Sequence, residues 1–185
     1  GIANLEGGPF QGASASARFA VADPVSGIVR AGGNARQSSV HARLTREGVP
    51  DTGFAGSGYL LLPPQPTDTY FDDTREGIAA FGRPDGNELL VERVHVPCLT
   101  GPMCAIRGGG YELTSVRVVT PSGGPAAGYG DGMGKAGLAL QPLQAIAEPS
   151  GALLVLGRAV AGIGGARQNA LERLTPQGLP DAGFR

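Results

Sequence analysis

The phrase RLTREGVPDTGF at Arg43–Phe54 returns as RLTPQGLPDAGF at Arg173–Phe184, and a third version, VVTPSGGPAAGY, runs from Val118 to Tyr129. Thr45, Thr120 and Thr175 align, as do Gly48, Gly123 and Gly178, and then Phe54, Tyr129 and Phe184. A chain that writes one phrase three times builds one structural unit three times. A second landmark precedes each copy. Asp23-Pro24-Val25-Ser26-Gly27, Arg83-Pro84-Asp85-Gly86 and Glu148-Pro149-Ser150-Gly151 each lead from a turn into an apolar run of strand length. The period is about 55 residues, with roughly 20 more in the middle copy.

The phrase reads as a corner. Thr ends a strand, the Gly three residues on makes a tight turn, Pro fixes φ, and the Asp at 51 and 181 accepts hydrogen bonds from the next turn. The aromatic residue is then an apolar plug between neighbouring units. The second copy has Ala126 where Asp51 and Asp181 stand, which predicts a looser corner there.

With 32 Gly and 15 Pro among 185 residues, the chain is punctuated too often for long helices. No stretch of ten residues or more keeps a 3.6-residue apolar period, so the chain reads as all-β. Strands are expected near Ala17–Ala22, Ile28–Ala31, Val40–Thr45 and Gly58–Leu62. The second set is Gly77–Phe81, Glu88–Val94, Glu112–Thr120 and Ala136–Leu140, and the third is Leu143–Ala147, Ala152–Leu156 and Ala170–Thr175. The units are approximately 17–62, 76–140 and 143–185 within a single repeat domain, and the middle one carries an inserted loop at 94–111.

The stretches RLTREGVPDTGFAGSG and RLTPQGLPDAGF resemble the signature of the delta-60 repeat, a bacterial β-propeller-like repeat whose usual phrase is Arg-Leu-x-x-x-Gly-x-x-Asp-x-x-Phe. The resemblance covers essentially the whole chain after Ala17, most fully in the first and third units. It implies three four-stranded β-propeller-type blades and an extracytoplasmic setting, and it brings no catalytic residues. Propellers commonly use four to eight blades. Three units therefore imply part of a larger propeller, a ring completed by another chain, or an open stack capped by partners. Residues 1–16 read as a closing strand or the remnant of a preceding blade.

A formal net charge of −1 argues against nucleic acid as partner, because phosphate binding needs a basic field. No apolar run approaches the roughly 20 residues of a membrane-spanning helix. Cys98 and Cys104, inside the inserted loop, could be a redox pair or half of a metal site. The C-x-x-C spacing of thiol oxidoreductases is absent, however, and the chain has only two His to complete a metal site. A small disulfide pinning a long hairpin is the favoured reading, and it implies a secreted or periplasmic protein.

GYGDGMGKAG at Gly128–Gly137 lacks the spacing of a phosphate loop, has Ala136 where Ser or Thr would hold Mg²⁺, and aligns with a corner. In SVHARLT, alternation sets Val40, Ala42 and Leu44 on one face, leaving His41 and Arg43 on a half-exposed polar face. Asp68, Asp72 and Asp73 form an acidic knot, a weak Ca²⁺ candidate without EF-hand spacing. No cofactor is implied and no catalytic constellation is visible. The expected work is therefore non-enzymatic: a rigid scaffold presenting loops to a protein partner or a cell-surface polymer. Its contact residues would be His95, Met103, Arg107 and Tyr111 in the insertion, with Tyr70 and Phe71 as a second surface. Two other readings are an accessory domain of a larger secreted enzyme or sensor, and a structural subunit of an extracellular filament or surface assembly.

Overall fold

The computed structural model describes residues 15–63, 74–97, 110–138, 140–160 and 167–184. They hold eleven strands and no helix: β1 (Ala15–Ala22), β2 (Val29–Ala35), β3 (Ser38–Leu44), β4 (Tyr59–Leu62), β5 (Thr74–Gly82), β6 (Glu88–Pro97), β7 (Gly110–Val119), β8 (Lys135–Leu138), β9 (Leu140–Ala147), β10 (Leu153–Val160) and β11 (Arg167–Leu174). All pairings within the sheets are antiparallel between consecutive strands. They make a first sheet β1-β2-β3-β4, a second β5-β6-β7-β8 and a third β9-β10-β11, none of them closed. The chain is all-β, as its punctuation predicts.

In each sheet the pairing of the first two strands carries a bulge, which leaves Arg18, Ile78 and Leu143 without a register partner. A bulge bends its strand and raises the local twist. The first strand of each sheet can thereby lie against the sheet before it. Accordingly β5 packs on β1, β2 and β3, and β9 packs on β5, β6 and β7.

Both faces of the second sheet are consequently covered. One carries Leu90 and Val119, which meet Phe54, Phe19 and Leu60 of the first sheet. The other carries Leu89, Val91, Val116 and Val118, which meet Leu140, Leu153, Val155 and Leu174 of the third. A third apolar cluster, Ala31, Ala35, Ala42, Leu44 and Tyr59, lies on the opposite face of the first sheet.

Several boundaries differ from the sequence reading: β2 runs on to Ala35 and β10 to Val160, β5 and β11 start earlier, at Thr74 and Arg167, and Leu140 opens β9 instead of ending β8. The limits of the inserted loop differ as well. β6 continues to Pro97 and β7 begins at Gly110, with Val96 opposite Tyr111 and Pro97 opposite Gly110. Ladder hydrogen bonds thus extend into the segment expected to be inserted loop, and His95 and Tyr111 are strand residues.

Candidate functional site

The three corners close with the same backbone bonds. The N–H groups of Thr45, Thr120 and Thr175 donate to the carbonyls of Val49, Gly124 and Leu179, each at 2.8 Å. The N–H groups of Gly48, Gly123 and Gly178 donate back to the three Thr carbonyls at 2.9, 2.8 and 2.8 Å. Those glycines hold φ of +80°, +86° and +79°, the left-handed region that disfavours any side chain. Asp51 and Asp181 each accept an N–H bond, from Gly53 and Gly183, at 3.0 Å.

Consecutive sheets meet corner to corner. The Ala55 N–H, just past Phe54, donates to the Pro121 carbonyl of the second corner at 2.7 Å. The Gly130 N–H, just past Tyr129, donates to the Gln177 carbonyl of the third at 2.7 Å. Gly130 belongs to the Gly-rich stretch set aside above as a phosphate loop, and its amide is part of this joint. Phe54 and Tyr129 are 2% and 4% exposed. Phe184, expected to be a plug like them, is 37% exposed, since no described sheet lies beyond it.

Arginine reinforces both joints. Arg30 on β2 forks onto Glu88 on β6, with Nε to Oε2 at 2.6 Å and Nη2 to Oε1 at 3.0 Å. Arg43 adds an Nη1 bond to the same carboxylate at 3.1 Å while its Nε holds Asp51 at 2.8 Å. At the second joint Arg83 lies over the Tyr129 ring, 5.7 Å from its centre, and donates to the Gly151 and Pro176 carbonyls at 3.4 and 3.3 Å. The Tyr129 hydroxyl is buried without a hydrogen-bond partner, and burial raises its pKa to about 12 against the pull of Arg83.

The second corner is not looser, contrary to expectation. Its Ala126 N–H meets the Val118 carbonyl at 2.9 Å, as the Asp51 and Asp181 N–H groups meet those of Arg43 and Arg173. The Arg and Asp that face each other in the first and third corners are here replaced together, by Val118 and Ala126, and both are buried in the apolar cluster between the second and third sheets. Apolar packing takes the place of the ion pair, so neither charge is left alone.

A polar cluster lies between the first two sheets. Glu92 on β6 is fully buried and accepts from Arg117 Nε at 2.8 Å, from Arg75 Nη1 at 3.4 Å and from the Ser39 hydroxyl. His41 beside it is 1% exposed, correcting the half-exposed position read from the sequence. The face that alternation left polar is the one covered by β5. Neither ring nitrogen of His41 has a hydrogen-bond partner, and Phe19 lies 6.2 Å away, ring to ring. Burial lowers the His41 pKa to about 4; the Glu92 and Glu88 carboxylates pull it up, and Arg117 pushes it further down. The carboxylate of Glu92 is already engaged by two guanidinium groups and a hydroxyl. Its chemistry is that of a structural ion cluster.

The expected contact residues are divided by the fold. His95 is half-buried on β6, between Thr74 of β5 and Glu112 of β7, and Tyr111 pairs with Val96. Met103, Arg107, Cys98 and Cys104, together with Tyr70, Phe71, Asp68, Asp72 and Asp73, lie outside the described residues. Among the described residues no group of three or more His, Cys, Asp or Glu is placed to hold a metal ion, and no helix is long and apolar enough to cross a membrane.

The connections join the sheets at two ends. Corners and Pro-bearing turns lie at one end. The turn at 36–37 lies at the other, where the Arg75 N–H ties β5 to the Gln37 carbonyl at 2.8 Å; β6 ends there at Pro97 and β7 begins at Gly110, and β10 ends there at Val160 and β11 begins at Arg167. Comparison with family models, curated proteins and solved structures finds no match to this chain.

Proposed function

We propose that the chain is a non-catalytic, extracytoplasmic scaffold of β-propeller type, related to the delta-60 repeat, that presents the loops of one rim to a protein partner or a cell-surface polymer. The observation that carries this reading is the division of labour between the two ends of the sheets. The corner end is committed to joining sheets, with its amides, arginines and aromatic rings spent on the joints. The opposite end bears the connections that vary in length, from the two residues at 36–37 to the twelve at 98–109. Variable loops on a rigid frame are where recognition concentrates. In this reading Cys98 and Cys104 form a disulfide that stiffens the longest loop, and Arg107 and Tyr111 supply contacts to a glycan or peptide.

Pro97 and Gly110 are directly paired, so replacing 98–109 by Asn-Gly joins them through a two-residue hairpin and leaves the ladder intact. The test applies both chains to an array of bacterial surface polysaccharides. The reading expects the natural chain to bind and the shortened one, with an unchanged melting temperature, to lose that binding. Equal binding by the two would contradict the assignment of recognition to this rim.

A further inference from the structure

The two joints between sheets share a geometry and differ in chemistry. Val29, Glu88 and Leu153 hold the same place in β2, β6 and β10, opposite Leu44, Val119 and Leu174. From that register, Arg30, His41 and Arg43 of the first sheet stand where the second sheet has Leu89, Val116 and Val118. On the facing sides, Glu88 and Glu92 stand where the third sheet has Leu153 and Gly157. The second joint is closed by apolar side chains at positions that carry ionisable groups in the first. Among the described residues, the buried acids and the buried histidine all belong to the first joint. The fold makes the second joint without them, and a buried ion pair is often no more stabilising than apolar residues in its place. Adhesion alone does not account for the charges of the first joint.

His41 makes that joint depend on protons. Its ring lies beside Phe19 and against Gly77, where a Cβ would come within 3.0 Å of Cε1, and neither ring nitrogen has a hydrogen-bond partner. The charged groups of the strands around it hold one another. Arg30 of β2 and Arg43 of β3 hold Glu88 of β6, and Arg75 of β5 and Arg117 of β7 hold Glu92 of β6. Arg18 of β1 and Glu76 of β5 pair likewise. A proton added to His41 would create a charge and two N–H donors with no acceptor in the closed joint, whereas water meets them once the joint opens. Burial keeps the ring neutral from 6.5 down to about 4, the range in which an exposed histidine takes up its proton. Opening therefore binds a proton, and acid favours it across that window.

We infer that the first joint is an acid-released hinge: on acidification the first sheet parts from the second, while the second and third stay joined. Parting uncovers Phe54, Leu90 and Val119, an apolar surface that is closed at neutral pH. This holds whether or not the loop rim binds a ligand.

The amides of Ala55 and Gly130 report the two joints separately, because each donates across one of them at 2.7 Å. Hydrogen exchange of the full chain is followed from neutral pH down to about 4, each rate divided by the intrinsic rate at that pH. Protection of Ala55 is expected to fall by at least about tenfold and at most about 300-fold, the ratio set by a pKa of 6.5 in the open joint and about 4 in the closed one. Protection of Gly130 is expected to hold. His41→Val, which installs the residue type found at Val116 in the second joint, is expected to abolish the fall at Ala55. Parallel loss at both amides would mean global unfolding and would overturn the inference. A fall at Ala55 of less than about tenfold, or an equally steep fall in His41→Val, would overturn it too. The natural chain alone gives an independent check: a His41 ring that NMR shows charged midway through the window, with Ala55 still protected, would contradict the hinge.

Discussion

Arg30 and Glu88, on different sheets and both buried, are joined by two hydrogen bonds of 2.6 and 3.0 Å. A carboxylate removed from water is tolerable only while its partners stay in place. Glu88→Gln would leave Arg30 and Arg43 facing an amide. The expected loss is about 3 kcal/mol or more, the range for breaking one side of a buried pair. Urea unfolding checks it, and a loss below about 1 kcal/mol would place the pair among weak surface contacts.

Stability should fall in two stages on acidification. The folded-state pKa of His41 is depressed to about 4 from 6.5, so between those values the unfolded chain binds the proton and the folded chain does not. The preference for the folded state is fully present above 6.5, declines as pH falls, and levels near 4, a total of about 3 kcal/mol. His41→Leu should flatten this window. Below it, Glu148 and Asp181 take over: the hydrogen bonds from Arg173 hold both carboxyls below their ordinary 4.5 and 3.8, and their contribution is lost as pH drops through those lowered values. Chemical denaturation at stepped pH separates the stages.

Gly48 and Gly178 share a backbone conformation and differ in surroundings. Gly48→Ala meets only the left-handed strain, about 1–2 kcal/mol. Gly178→Ala adds a collision with the Tyr129 ring, and overpacking contributes about 1–3 kcal/mol more. The two melts should differ clearly, with Gly178→Ala the lower.

Arg83→Lys keeps the charge and loses the planar group that covers Tyr129 and reaches two carbonyls. A loss of about 1–2 kcal/mol is expected, with Arg83→Ala somewhat worse. Equal stability of Arg83→Lys and the natural chain would show that the guanidinium geometry is not used.

Strand positions were legible because Gly and Pro punctuate the chain so often that each strand is bracketed by its own turns. The environment of each face was not. Alternation tells which residues share a face, as it did for His41 and Arg43, but not whether that face meets water or a neighbouring sheet. Ser39, Glu92, Arg75 and Arg117 were missed for the same reason, since each looks like an ordinary solvated residue until β5 lies on the first sheet. The absent Asp at Ala126 was visible in the sequence. Its meaning needed the structure, which shows that Val118 replaces the arginine at the same corner.

The central claim is that the corner-to-corner joints hold successive sheets as one body, and amide hydrogen exchange at Ala55 and Gly130 tests it most directly. Both N–H groups lie in loops, and both donate across a joint at 2.7 Å. The account predicts that they exchange as slowly as amides in the sheet cores, opening only when the sheets come apart. Exchange at the fast rate of exposed loop amides would contradict it, because the sheets would then be parting while each stayed folded.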